Sequence, residues 1–176
     1  MQTKVEHKMV ELKVKVYDIE VVREELTLLG ARYIGKFQQI DVYFDVPEGR
    51  LKLREVEGIN HAELIYYDRQ NIAGPKKGDV FILEIQDPEF FKNLLERLLK
   101  ISAIVKKFRE IYRYQETQIH LDIVEKLGNF VEFERRTSSS EEAIRKNQQI
   151  LEKLMEELGI DPKNLEKLSY SDLIRE

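Results

Sequence analysis

Full charges alternate with apolar residues along most of the β-patterned stretches of this chain. Glu11, Lys13 and Lys15 share one parity, as do Lys52 with Arg54, Glu63 with Arg69, and Lys107 with Arg109 and Arg113; Glu84, Asp122, and Glu132 with Glu134 continue the pattern. Residues two apart on a strand project to one face. Two arrangements satisfy such a pattern. One is the solvated outer face of an antiparallel sheet. The other is a closed barrel with the charges inside. Small barrels ordinarily fill with apolar side chains, so a charged lumen needs internal compensation or a ligand. Lys13/Lys15, Lys52/Arg54 and Lys107/Arg109 would then converge on one volume suited to a polyanion, because Lys and Arg bind phosphate oxygens by charge-assisted bonds. Glu132 and Glu134 share a strand face, with Asp122 on the strand before. Carboxylates gathered this way repel unless a divalent cation sits among them, and all-oxygen ligation suits Mg²⁺ or Mn²⁺. Cations beside such a cluster are what a metal–triphosphate site requires. The residues alone leave both arrangements open.

The elements that must position these groups are legible from periodicity. Strict alternation over residues 9–16 predicts a strand. Asp18 caps a helix carrying Val22, Leu26 and Leu29, which Gly30 ends. Alternation resumes at 40–46, turns at Pro47-Glu48-Gly49, and continues through Leu51 and Leu53. A strand follows at 62–69, a Gly/Pro loop at 71–78, and a strand at 80–85. Asp87-Pro88 opens a helix with Phe91, Leu94, Leu95, Leu98 and Leu99 on its apolar side. Three strands follow, at 103–114, 118–124 and 129–135. Ser138 with Glu141 matches a capping box for a helix carrying Ile144, Leu151, Leu154, Met155 and Leu158. Asp161-Pro162 starts a short last helix, and the tail runs from 170 to 176. About eight strands with short connections, covered by three main helices, imply an antiparallel α+β fold.

Composition narrows the class. The 176 residues fit one domain. With no cysteine, disulfides and thiolate zinc sites are excluded. No apolar run approaches the ~20 residues of a membrane helix. Residues 1–8 are polar, lack the apolar core of a signal peptide, and are expected to be a loosely attached extension. A soluble cytoplasmic protein is expected. The net charge of −4 argues against non-specific nucleic-acid binding. High Lys and Glu content with three Met and no Cys fits a thermophile's composition.

The ordered motifs resemble the CYTH superfamily of triphosphate tunnel metalloenzymes, nearest its class IV adenylyl cyclase branch. Met9-Val10-Glu11-Leu12-Lys13 is similar to the family's Glu-x-Glu-x-Lys, with Met9 in place of the first Glu. Gln39-Ile40-Asp41-Val42-Tyr43-Phe44 resembles Gln-x-Asp-x-Tyr-Phe. Leu51-Lys52-Leu53-Arg54 resembles Leu-Arg-Ile-Arg, with Lys for the first Arg. Lys107-Phe108-Arg109-Glu110-Ile111-Tyr112 resembles Lys-x-Arg-x-x-Tyr. The run from Asp122 through Leu127-Gly128 to Glu132-Phe133-Glu134 is the longest and most specific match. Residues 64–69 depart from a Thr-Tyr-Lys-Gly-Pro-like run, with Arg69 standing in for the lysine. The resemblance covers nearly the whole chain, as a single CYTH-like domain over residues 1–176.

It implies a closed eight-stranded antiparallel β-barrel with flanking helices, its lumen a triphosphate tunnel. Lys13, Lys15, Lys52, Arg54, Arg69, Lys107 and Arg109 are then the expected substrate-binding set, with Lys13, Arg54, Lys107 and Arg109 carrying catalysis. Glu11, Asp122, Glu132 and Glu134 are the expected ligands of Mg²⁺ or Mn²⁺. The expected partner is a small triphosphate such as ATP or tripolyphosphate, with no nucleic acid and no membrane; a homodimer is left open. The implied activity is conversion of ATP to cyclic AMP and pyrophosphate. A tripolyphosphatase or organic triphosphatase, or a non-catalytic nucleotide- or polyphosphate-binding module, remain alternatives. His120 shares parity with Asp122 and can enter the lumen, although a tolerated polar neighbour is the plainer reading. His7 and His61 are scattered. Tyr66 and Tyr67 read as packing and rim residues. Gly74-Pro75-Lys76-Lys77-Gly78 lacks the ending and the following helix of a P-loop, and reads as a turn whose lysines attract anions. No Ser-His-Asp set is arranged for covalent catalysis.

Overall fold

The computed structural model describes residues 4–69 and 71–176. In chain order the elements are β1 (Lys4–Val16), α1 (Ile19–Leu28), β2 (Arg32–Phe44), β3 (Arg50–Val56), β4 (Ala62–Arg69), β5 (Lys76–Ile85), α2 (Pro88–Leu98), β6 (Ile101–Tyr114), β7 (Thr117–Val124), β8 (Gly128–Thr137), α3 (Glu141–Glu157), a 3₁₀ turn (Pro162–Asn164) and α4 (Tyr170–Arg175). The strands close into one antiparallel barrel in the order β1-β5-β4-β3-β2-β6-β7-β8. No helix among the described residues is long and apolar enough to cross a membrane.

The barrel is built inside out. Val10, Leu12 and Val14 of β1, Ile119 and Leu121 of β7, and Val131 and Phe133 of β8 face outward. They pack under Val22 and Leu26 of α1 and Ile144, Leu151, Leu154 and Met155 of α3. Val42, Phe44 and Leu53 pack likewise under Leu95 of α2. The alternate residues of the same strands, the charged ones, therefore point into the lumen. Two apolar groups also sit inside. Tyr43, Ala103, Val105, Val124 and Phe130 meet Tyr170 of α4 and form a floor at one end. Met9, Ile65 and Val80 form an apolar stretch of wall nearer the other end.

Local chemistry sets the boundaries. Asp18 caps α1 by accepting from the Glu20 N–H at 2.9 Å, and Asp87 caps α2 by accepting from the Phe90 N–H at 3.0 Å. At the β2–β3 turn Gly49 has φ +67°, a conformation that favours glycine, and a Cβ there would stand 2.5 Å from the Tyr66 hydroxyl and displace that ring.

Several sequence expectations are corrected. β1 starts at Lys4, not at residue 9, because Lys4 to Lys8 pair with Leu83 to Asp79 of β5. The expected loose extension therefore contains paired strand; residues 1–3 lie outside the described residues. β5 starts at Lys76, within the expected loop, because Glu11 and Val10 pair with Lys76 and Lys77. The N-cap of α3 is Ser140, accepting from the Ala143 N–H at 3.1 Å, rather than Ser138. On α2 only a narrow face packs: Leu95 is buried, while Leu94 and Leu98 are exposed. The tail is itself a helix, α4, opened by a Ser169/Asp172 capping box.

The outward face is thus a packed core. Leu12→Ala removes a side chain with 0% exposure and is expected to lower unfolding free energy by about 2–5 kcal/mol in urea denaturation. Lys15→Ala, on an exposed position of the same strand, is expected to change it by less than about 0.5 kcal/mol. Equal losses from the two variants would contradict the inverted packing.

Candidate functional site: the charged barrel lumen

The lumen holds a cavity of about 930 Å³, lined by residues from every strand. That is the scale of a pocket for a nucleotide-sized ligand. Its charges gather around two buried carboxylates. Asp41 of β2 is fully buried. The Arg54 fork of β3 donates to it through Nε at 2.7 Å and Nη2 at 2.8 Å, and Lys52 and Lys107 donate at 3.0 and 3.1 Å. Asp122 of β7 is equally buried. It accepts from Arg109 Nε at 2.7 Å and from the Tyr170 hydroxyl at 2.7 Å. Arg109 reaches on to Glu132 of β8 at 2.7 Å, and Lys13 of β1 stands 3.2 Å from the other oxygen of Glu132. Glu11 pairs with Arg69 of β4 at 2.8 Å.

Burial and crowding move these groups away from their ordinary protonation. Burial, then repulsion from Arg109, pulls the Lys107 ammonium down to about 7 against the attraction of Asp41. Burial and Arg54 pull Lys52 down to about 8. Burial pushes Asp41 up, but Arg54, Lys107 and Lys52 outweigh it and hold the carboxylate well below its usual range. Glu132 is held low in the same way by Lys13 and Arg109. Burial and the charge of Asp122 push the Tyr170 hydroxyl far up. The cations are compressed together, a state that an anionic ligand relieves.

One end of the lumen is covered by the C-terminal segment. Leu165 bridges to Val14, the Glu166 N–H donates to the Lys13 carbonyl at 2.9 Å, and Lys13 Nζ donates to the Leu168 carbonyl at 3.2 Å. The Lys76 ammonium, with 0% exposure, donates to the carbonyls of Glu166 and Lys167 at 2.8 and 3.0 Å. Arg50 ties Asp172 at 2.7 Å.

The CYTH domain family model matches residues 7–170. The chain belongs to the CYTH family. A Methanocaldococcus jannaschii protein named "putative adenylate cyclase" is 30% identical over 175 residues, covering 93% of this chain and 97% of that one. Among solved structures, the PH1012 protein of Pyrococcus horikoshii superposes with a TM-score of 0.82 at 27% identity, covering 94% and 98% of the two chains. A Hippeastrum "putative adenylyl cyclase", described as having a dominant triphosphatase activity, shares the fold with a TM-score of 0.65 at 18% identity, covering 95% of each chain.

The expected site residues fall into three groups in this CYTH chain. Lys13, Lys52, Arg54, Arg69, Lys107 and Arg109 all line the cavity. Glu11, Glu132 and Glu134 line it too, and Glu11 is the cross-strand partner of Glu134. Two residues depart. Lys15 is exposed, with its ammonium over the Phe130 ring at 5.7 Å, because its turn of β1 lies beyond the covering segment. Asp122 is engaged by Arg109 and Tyr170, shares the Arg109 Nη2 with Glu132, and is not among the residues whose donor atoms gather into a candidate metal cluster. That cluster is His120, Glu132 and Glu134, whose donor atoms lie within 4.8 Å of one another. His120 Nδ1 is buried without a hydrogen-bond partner. Two adjacent carboxylates and an orphaned nitrogen fit a divalent cation. Sequence reasoning missed Asp41 and Tyr170 as site residues and placed Lys76 in an anion-attracting turn rather than on β5. Asp41 shares the parity of Gln39 and Tyr43 on β2, a signal that was sufficient to find it. Tyr170 arrives through the course of the C-terminal segment, and Lys76 is placed by pairing of β5 with β1 and meets that segment's carbonyls, neither of which any local pattern announces.

These shifts predict how stability depends on pH. Below about pH 7 folded and unfolded chains both hold the Lys107 and Lys52 protons. Between there and the ordinary lysine value of 10.5 the folded chain has released them and the unfolded chain has not, so stability rises. Above about 10 tyrosines ionise more readily in the unfolded chain, since Tyr43 and Tyr170 are raised in the fold, and stability falls. Thermal unfolding is expected to be highest between about pH 8 and 10, with a smaller rise in Lys107→Met. A midpoint that declines steadily from pH 7 upward would contradict the compressed lumen.

Proposed function

We infer that the lumen is a metal-assisted active site for a small triphosphate, and that cyclisation of ATP to cyclic AMP and pyrophosphate is its leading chemistry. The observation that supports this reading best is the convergence of Lys13, Lys52, Arg54, Lys107 and Arg109 on one closed-ended cavity beside Glu132 and Glu134. A polyphosphate chain replaces Asp41, Asp122 and Glu132 as the partner of those cations. The cations then neutralise charge that develops on the leaving phosphates. A divalent cation held by Glu132 and Glu134 supplies further charge neutralisation when bound. In cyclisation the ribose 3′-hydroxyl oxygen bonds to the α-phosphorus and its proton passes to water, while the bond from the α-phosphorus to the α–β bridging oxygen breaks and pyrophosphate carries that oxygen away. The similarity to a protein named for adenylate cyclase favours this product.

Hydrolysis of the terminal phosphate is a second reading. Every lumen cation named above is suited to phosphate, whereas adenine recognition needs placed donors, acceptors or a stacking platform. ATP and tripolyphosphate are therefore both expected to bind, with discrimination of no more than about 1–3 kcal/mol.

Arg54→Ala is the informative variant, because Asp41 keeps Lys52 and Lys107 as partners. Tripolyphosphate binding is expected to weaken by about 1.5–3 kcal/mol in calorimetry. Incubation of the parent protein with ATP and Mn²⁺, with products resolved, separates the chemistries. Cyclic AMP with pyrophosphate supports cyclisation, and ADP with phosphate supports hydrolysis. Binding of both ligands without any product would replace the enzyme reading with a binding module.

A further inference from the structure

The His120 imidazole is 4% exposed, and its Nδ1 has no hydrogen-bond partner. A buried nitrogen in that state is costly and ordinarily finds a partner. The nearest acidic atoms are Glu132 Oε2 and Glu134 Oε1, each 3.7 Å away. That is too long for a hydrogen bond. It is the separation expected of atoms that share an ion, since ligands about 2.1 Å from a common centre stand roughly 3–4 Å apart. The strand register supplies the arrangement. His120 is the cross-strand partner of Glu132, and Glu134 follows two residues on along the same face of β8.

Several lumen carboxylates already carry cationic partners, and Glu132 is one of them, its Oε2 accepting from Arg109 at 2.7 Å and its Oε1 standing 3.2 Å from Lys13; among the described residues Glu134 pairs with no lysine or arginine. Asp122 is held by Arg109 and Tyr170, Asp41 by Arg54, Lys52 and Lys107, and Glu11 by Arg69. Met9, on the neighbouring strand, offers no oxygen. We propose that His120 ligates a divalent cation directly through Nδ1, completing with Glu132 and Glu134 a nitrogen–oxygen site that selects Mn²⁺ or Co²⁺ over Mg²⁺. The ring binds as the neutral tautomer with its proton on Nε2. Mg²⁺ prefers oxygen ligands and keeps its waters, whereas an imidazole donor raises affinity for first-row ions in the Irving–Williams order. The all-oxygen site expected from the sequence is thereby replaced by a mixed one. Only the role of the ion in turnover rests on the triphosphate reading; ligation itself is measured without substrate.

Mn²⁺ alone, added to the parent protein, is the probe. Pulsed electron paramagnetic resonance is expected to show ¹⁴N coupling to the bound ion, and calorimetry to show Mn²⁺ binding at least about tenfold more tightly than Mg²⁺. In His120→Gln the coupling is expected to vanish and Mn²⁺ affinity to fall about tenfold or more, with Mg²⁺ affinity little changed. The spectrum of the parent protein needs no variant, so a folding defect in His120→Gln leaves the test intact. Bound Mn²⁺ without nitrogen coupling overturns His120 as a ligand and leaves the triphosphate reading standing. Failure of Mn²⁺ to bind, or coupling that persists in His120→Gln, overturns it as well. Nitrogen-bound Mn²⁺ in a protein that turns over no triphosphate keeps the ligand assignment and removes the enzyme reading.

Discussion

Charge buried inside a closed sheet must be compensated, and the rest of this structure follows from that constraint. Desolvating an ion costs several kcal/mol even after relaxation, and attraction between buried partners repays it only with good geometry. The lumen meets the requirement with two buried carboxylates, each clasped by an arginine fork. Asp41 draws Arg54, Lys52 and Lys107 into one small volume, and Asp122 fixes Arg109 with help from Tyr170. The compensation is incomplete in a telling way. Lys107 and Lys52 sit well below the ordinary lysine range, and Arg109 and Arg54 repel them. The internal carboxylates hold the cations in place without satisfying them fully, and on the proposed reading that surplus is what a polyanion would meet.

The helices are a consequence of the same constraint. With charge inside, the apolar face of each strand points outward and would lie in water. α1 and α3 cover β1, β7 and β8, and α2 covers β2 and β3. The hydrophobic driving force that usually fills a small barrel is here spent on its outside. A barrel of this kind therefore needs its helices for stability, whereas its lumen answers to ligand chemistry. The short α4 serves differently, because Tyr170 packs on Phe130 inside the barrel end while its hydroxyl bonds Asp122.

What the sequence made legible was whatever a period of two records. Parity placed Lys13, Arg54, Lys107, Arg109, Glu132 and Glu134 on one face, although the residues alone did not say whether that face was wet or enclosed. Parity failed where a strand outlives its neighbour. Lys15 has the right phase but lies past the covering segment, so phase without position misplaced it. Lys76 was hidden in a Gly/Pro stretch that pairing with β1 turns into strand. Asp122 carried the right charge for a metal ligand, and only the Arg109 fork and the Tyr170 hydroxyl show it to be occupied. Long-range contacts, between strands and with the chain's C-terminal segment, decided all three cases, and local pattern holds no record of them.

That closure also sets the direction in which the lumen works. Lys13 and Lys76 bond to carbonyls of residues 166–168, so the segment is latched by the same class of side chain that lines the cavity. Beside it lie the apolar floor and then Asp41 with its cations. At the far rim stand His7, Ile59, His61 and Arg113. On the proposed reading, a ligand entering by the rim would lead with its most anionic part toward the deep cations. The apolar stretch of Met9, Ile65 and Val80 then flanks whatever the polyanion carries behind it. The lining is graded along one axis, from charge at depth to a less polar wall on one side nearer the mouth. If the lumen binds a polyphosphate as proposed, the deep end discriminates by charge, and selection among ligands of equal charge falls to the wall and the rim.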